Sequence, residues 1–339
     1  MKWAGRCIAA LALGLLSATG GMAEDRAEAG RPASPILRHV ADYPLPGRPT
    51  RWDYMSLDKD AGRLYIAHLG DSSVVAIDTQ TKAVLASVQN IGQVHGVLAV
   101  PELGRVYASA TRTHEVVALD ANTLKVTARI PGGRYPDGLA YAPEGHKLYV
   151  SDETGKSETV IDTQTNKRIA TIPLGGTVGN TQYDSVSKHI FANVQGTNEL
   201  AEIDPQNDTV IQRLPVPGAE GNHGLLIEPE LRLAFIACEG NDRLLVMDLR
   251  SKHVVAQFAV GKAPDVLAYD TNLGLLYVAG EAGTVSVFRV TRQGVIRLGD
   301  QQVGANAHTV AVDPATHEVF FPLKEVGGRP VLRVMRPSF

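Results

Sequence analysis

Seven segments of the chain are versions of one another, and this repetition restricts the fold more than composition does. Aligned on one polar position they read WDYMSLDKDAGRLYIAH at Asp53, VHGVLAVPELGRVYAS at His95, PDGLAYAPEGHKLYVSD at Asp137 and GNTQYDSVSKHIFANV at Asn180. The series continues with NHGLLIEPELRLAFIAC at His223, PDVLAYDTNLGLLYVAG at Asp265 and AHTVAVDPATHEVFFPL at His308. The successive spacings are 42, 42, 43, 43, 42 and 43 residues. Each unit holds a short apolar run, a turn rich in Pro, Asp, Gly and Asn, and a second run such as Leu148-Tyr149-Val150. Their β-branched and aromatic content reads as strand. A third strand ends at Asp78, Asp120, Asp162, Asp204 or Asp248, and a short turn leads to a fourth, as over residues 125–130. These aspartates are turn-makers, since an Asp side chain bonds backbone amides two residues on. Four short strands in about 40 to 45 residues is the period of a β-propeller blade.

The seventh unit is one strand short. After His308 the chain supplies three strands, the last from Val331 to Met335, and LRHVADYPLPG from Leu37 to Gly47 resembles the fourth strand and exit turn of the other units. The expectation is an all-β, seven-bladed β-propeller over residues 37–339, with four-stranded blades and a ring closed by the N-terminal strand pairing into the last blade. Closure removes the open sheet edge that a linear array would expose.

The recurring P-x-G/D-V-A-x-x-P-x-x-x-x-L-Y-V followed by V-x-V-I-D-T-x-T resembles the YVTN-type repeat of bacterial propellers. Together with an N-terminus of Lys2 and Arg6, an apolar run over residues 7–16 and small residues up to Ala23, it makes the chain similar to YncE-like periplasmic proteins. The resemblance covers essentially all of residues 37–339, and blade four, with Asn180-Thr181-Gln182-Tyr183, departs most from the pattern. It speaks for the fold and little for function, because propellers host binding proteins, hydrolases, lyases and oxidoreductases alike.

Lys2 and Arg6 precede an apolar run from Cys7 to Leu16, and a small-residue stretch ends at Gly21-Met22-Ala23. This is the layout of a cleavable secretory signal over residues 1–23, with cleavage after Ala23. A polar, disordered lead-in is expected over residues 24–36. The expected product is periplasmic or secreted, without a transmembrane anchor, since no later segment nears the roughly 20 apolar residues needed. Cys238 is then the only cysteine left, so no intramolecular disulfide forms. A lone cysteine at a strand end is more often a small buried hydrophobe than a reactive thiol. The formal net charge of −3, with acids and bases interspersed, shows no nucleic-acid footprint.

The resemblance implies that the first strand of each blade lines the central channel. The aligned residues Asp53, His95, Asp137, Asn180, His223, Asp265 and His308 then form a polar throat. Fifteen and sixteen residues on, the returning second strands bring residues to the same face. The expected funnel wall comprises His68, Arg112, Asp152, Glu153, Gln195, Glu239, Glu281 and Lys324. Trp52 and Tyr135 either add an apolar wall or pack between blades. His114, His146, His189, His253 and His317 fall at turns and outer strands and read as solvated surface.

Three imidazoles and three carboxylates around one axis have the composition of a divalent metal site. His95, His223 and His308 are the candidate ligands, for Zn, Mn, Cu, Fe or Ni. A wet channel mouth solvated by the same residues is the plainer reading. Function is accordingly expected to be binding of a small molecule, a peptide or a protein partner in this funnel, with or without metal. The alternative is a metal-dependent lyase, lactonase or hydrolase using the three histidines, with His68, Asp137 or Asp265 moving the proton. A weaker redox reading would place copper or a quinone there. No C-x-x-C-H motif for c-type haem and no Gly-rich phosphate loop of the NAD kind occurs. Channel-mouth residues contribute little core, so His223→Ala and His308→Ala are expected to leave the melting temperature nearly unchanged.

Overall fold

The computed structural model describes residues 35–339. The expected signal peptide and residues 24–34 of the lead-in lie outside the described residues. Ile36, assigned to that lead-in, is ordered by its neighbours: its carbonyl accepts the Ser338 amide at 2.9 Å and its side chain packs on the core.

Seven antiparallel sheets of four strands form the chain, with no α-helix among the described residues. The first strand of each blade touches that of the next, and the first strand of blade seven touches that of blade one, so the sheets form a ring. Blade three shows the pattern: Pro136–Ala142, Lys147–Asp152, Ser157–Asp162 and Lys167–Pro173 pair in chain order. The first three are almost entirely buried and the fourth is mostly exposed. Blade seven joins Ala311–Asp313, Glu318–Val326 and Arg329–Pro337 to Leu37–Pro44 from the other end of the chain.

The core lies between blades. One cluster joins Tyr65, Ala67 and Val74 of blade one to Val94, Val106 and Ala108 of blade two, and Tyr149 and Val160 meet Val178 and Ile190 in the same way. Tyr65, Tyr107, Tyr149, Phe235, Tyr277 and Phe320 occupy matching places on second strands and are fully buried. Each contributes about 2–3 kcal/mol through burial. The repeat also encodes polar ties between blades. Arg63, Arg105 and Lys147 begin successive second strands, and each donates to a carbonyl 58 residues on: Ala121, Thr163 and Pro205. The strand-ending aspartates make the expected turns: Asp78 Oδ1 accepts the amides of Gln80 and Thr81, and Asp120 Oδ1 those of Asn122 and Thr123.

The ring closes by antiparallel pairing from Leu37 opposite Pro337 to Pro44 opposite Val331, with one register shift between His39 and Ala41. Across that seam Arg333 donates to both oxygens of Asp42, Nε to Oδ1 at 2.8 Å and Nη2 to Oδ2 at 2.6 Å. This charged fork holds the Asp42 carboxyl below its ordinary 3.8. A lowered acid adds stability above that value and loses it as pH falls through the folded pKa. Asp42→Asn should therefore cost about 1–3 kcal/mol at pH 7 by urea denaturation, and the difference from the parent should shrink below pH 3.8.

Glu158 on the third strand of blade three is the opposite case. It is fully buried, with neither oxygen in hydrogen-bonding geometry, and burial followed by the nearby Asp152 carboxylate raises its pKa well above 4.5. The folded state retains a proton there that the unfolded chain loses, so stability is present below 4.5 and declines as pH rises. Glu158→Gln should raise the melting temperature at pH 7 to 8 and leave it nearly unchanged near pH 4.

Candidate functional site

The polar face owes its shape to a defect repeated in the innermost strands. Pairing of the first strand with the second shifts register between Val94 and Val97, Pro136 and Leu139, Asn222 and Gly224, and Pro264 and Leu267. Each bulge frees one residue from strand alternation: His95, Asp137, His223 and Asp265. In blade one Asp53 donates its amide to the Ala67 carbonyl while the Tyr54 carbonyl accepts the Ala67 amide, so residues 53 and 54 face one partner. Two residues before the ring position, Gln93, Tyr135, Gly221, Ala263 and Asn306 are left-handed, with φ from +48° to +63°. This turn aims the Gln93 and Asn306 carbonyls back at the imidazoles that follow. His95 Nδ1 and His308 Nδ1 each donate to them at 3.0 Å.

Blade four breaks the series by one residue. Val178 pairs with Val194 as Pro136 pairs with Asp152, and Thr181 with Ala192 as Leu139 with Val150. Gly179, not Asn180, therefore holds the ring position. A Cβ on Gly179 would lie 2.6 Å from the His223 carbonyl oxygen, so the innermost strands meet too closely there for a side chain. Asn180 sits one step behind, next to the Tyr54 hydroxyl. The same shift makes Gln195 the equivalent of Glu153, Glu239 and Glu281.

A cavity of about 160 Å³ opens at this mouth. Its walls are six carboxylates (Asp53, Asp137, Glu153, Glu239, Asp265 and Glu281) with Arg51, His95, His223, Tyr54 and Tyr135. Arg51 is the one permanent cation among them. Its Nη1 lies 2.6 Å from Glu281 Oε1 and its Nε 3.4 Å from Asp53 Oδ2. Burial opposes its charge, but Asp53, Glu281 and Asp265 outweigh burial and raise its pKa.

Two imidazoles are wired differently. His95 donates Nδ1–H to the Gln93 carbonyl, which leaves Nε2 to accept from the Tyr135 hydroxyl at 3.1 Å, and burial lowers its pKa below 6.5. His223 Nδ1 meets the Gln195 amide at 2.5 Å, and its Nε2 faces the Tyr54 oxygen at 3.1 Å and Asp265 Oδ1 at 3.4 Å. Burial opposes its charge too, yet Asp265, Asp137, Glu239 and Glu153 together raise its pKa above 6.5. The acids respond in kind. Burial and then mutual repulsion raise Asp137 well above 3.8, and Glu153 and Asp265 also rise, with His223 opposing.

His95, His223 and His308 are not drawn together. Among the described residues, the set of three in which one imidazole or carboxylate atom of each lies within 4.8 Å of the other two is Asp265, Glu281 and His308. His95 and His223 are turned to Tyr135 and Tyr54 instead. His68 does not line the cavity: it is fully buried, stacked on Trp52 at 3.7 Å between ring centroids, and burial holds its pKa down to about 4. Asp152 is also buried, bonded by the Gly133 amide and the Thr159 and Ser157 hydroxyls. Arg112 and Lys324 are exposed and off the cavity wall, Arg112 donating to Ser72 Oγ. The second ring failed at His68 and Asp152 because each ends its strand with the side chain buried away from the mouth, whereas the residue after Asp152, Glu153, faces the cavity.

Arg51 and Tyr54 were missed. They flank the ring position in blade one, where the strand begins only at Met55, and the adjacent Trp52-Asp53-Tyr54 run was the available signal. His308 is fully buried, so His308→Ala should open a cavity and lower stability, contrary to the expectation from a solvated mouth.

No family model matches the chain, and no curated protein matches its sequence. Solved structures do. Kuenenia stuttgartiensis hydrazine synthase is similar at 15% identity and TM-score 0.73, over 84% of this chain and 95% of that one. The RRP9 WD40 repeats match at 12% and 0.74, over 88% and 100%, and a chain of the mitotic checkpoint complex at 12% and 0.74, over 95% and 99%. These likenesses show the seven-bladed propeller fold.

Cys238 is fully buried and burial pushes its thiol up to about 12, so maleimide should label it only on unfolding. In an NMR pH titration His223 should show a pKa above 6.5, and Asp265→Asn should bring it down.

Proposed function

We propose that this chain is an exported binding propeller whose mouth captures a cationic group, an ammonium or guanidinium, from a small molecule or from a partner's basic side chain. The observation that carries the reading is the ratio of charges: six carboxylates and one arginine around about 160 Å³. Low-dielectric walls concentrate the field of such a cluster. Arg51 already illustrates the preference, since its guanidinium sits between Glu281 and Asp53. Tyr54 and Tyr135 supply aromatic faces and hydroxyls beside those charges, which suits an organic cation. The same field disfavours phosphate, in keeping with the expectation of no nucleic-acid partner.

Export rests on the sequence of residues 1–23, with its basic start, apolar run and small residues before Ala23. Among the described residues no helix is long and apolar enough to cross a membrane. The metal-dependent lyase, lactonase or hydrolase built on three histidines finds less support, because two of those imidazoles are committed to tyrosine hydroxyls.

Spermidine titrated into the protein by calorimetry at pH 7.5 and low salt should bind saturably, one per chain. Asp137→Asn with Glu153→Gln should weaken it at least tenfold. Because these carboxyls titrate above their ordinary values of 3.8 and 4.5, protons should compete early, and affinity should fall as pH drops from 7 toward 5. Binding that ignores both substitutions and pH would defeat the reading.

A further inference from the structure

His308 has one nitrogen accounted for and one not. Nδ1–H donates to the Asn306 carbonyl at 3.0 Å, which fixes the tautomer and leaves Nε2 as a lone-pair acceptor. The side chain is 1% exposed, and Nε2 meets no donor. A buried acceptor without a donor is left with its desolvation uncompensated, so the position calls for an electrophile. Asp265 Oδ2 lies 3.9 Å from that nitrogen, and Asp265 Oδ1 is also without a hydrogen-bond partner. Glu281 completes a set in which one donor atom of each residue falls within 4.8 Å of the others, its Oε2 lying 3.8 Å from the His308 ring at Nδ1. Atoms bound to one ion at about 2.0–2.2 Å sit about 3–4 Å apart, so the His308 to Asp265 separation needs little adjustment.

We propose that His308 Nε2, Asp265 and Glu281 form a site for one divalent transition metal between blades six and seven, with Asp265 and Glu281 on the cavity wall and His308 buried behind them. The backbone carbonyl on Nδ1 is the outer partner that metal-binding histidines characteristically carry. One imidazole with two carboxylates suits zinc or manganese better than a copper(I) or calcium site. This ligand set keeps only His308 of the three histidines that the sequence put forward. The neighbours set the terms of binding. Arg51 holds Glu281 Oε1 at 2.6 Å and Asn306 Nδ2 donates to Oε2, so the ion competes with a guanidinium for Glu281. His223 faces Asp265 Oδ1 from the other side at 3.4 Å. The inference rests on the reading of the cavity as a cation receptor and specifies a second kind of cation for it.

The test is equilibrium dialysis of the untagged protein against zinc chloride and, separately, manganese chloride, with elemental analysis and circular dichroism of each variant. About one ion per chain is expected, with uptake lost or weakened at least tenfold in His308→Gln and in Asp265→Asn and kept in His95→Gln. Arg51→Gln should bind at least as tightly as the parent, because it frees Glu281 from its competitor. Should His308→Gln fail to fold, Glu281→Gln, whose side chain is one-third exposed, takes its place with the same loss expected. No saturable uptake by the parent, or uptake unchanged in every folded ligand variant, would overturn the site. Spermidine binding measured on the same samples in EDTA separates the two failures. If it persists without metal uptake, only the metal site falls; if both are absent, the cation reading falls with it.

Discussion

Everything at the functional face follows from how tightly seven innermost strands can crowd an axis. A Cβ on Gly96 would stand 2.1 Å from the Asp137 carbonyl oxygen, and one on Gly224 would stand 1.9 Å from that of Asp265. Neighbouring blades therefore approach backbone to backbone, and a side chain fits at the throat only where a bulge swings it out of the pleat. That is why each of these glycines follows directly on a ring residue, His95 or His223. Crowding and bulging are one device: the glycine lets the blades meet, and the residue before it is released toward the cavity.

Placing six carboxylates in so small a volume is electrostatically costly, and the structure offsets it in three ways. Arg51 neutralises part of the charge. His223 takes up a proton more readily than a free imidazole, because four carboxylates surround it. Asp137, Glu153 and Asp265 hold protons more tightly than they would in water. Such a cluster is poised to exchange protons and its internal guanidinium for an external cation. Stability is supplied elsewhere, by the aromatic layers between blades and the Arg63, Arg105 and Lys147 ties, so the mouth is free to carry charge that a core would not tolerate.

Much of this was legible in the residues. The period gave the blade count, the short seventh unit gave the closure by Leu37–Pro44, and the constant offset found Glu153, Glu239 and Glu281. What misled was treating sequence spacing as geometry. A one-residue shift moved Asn180 off the throat and brought Gln195 into line with the glutamates. An offset of fifteen rather than sixteen put His68 and Asp152 in the wall when they are buried away from the mouth.

The sequence by itself determined the ring, the strand count and which residues gather near one mouth, because these depend on periodicity and on turn chemistry, both local. Only the tertiary structure decided which histidines face one another. Whether an imidazole meets a hydroxyl, a carboxylate or nothing depends on partners as far apart in the chain as Tyr54 and His223, 169 residues. Their distances are fixed by how the blades pack around the axis, and no spacing within a single repeat encodes that.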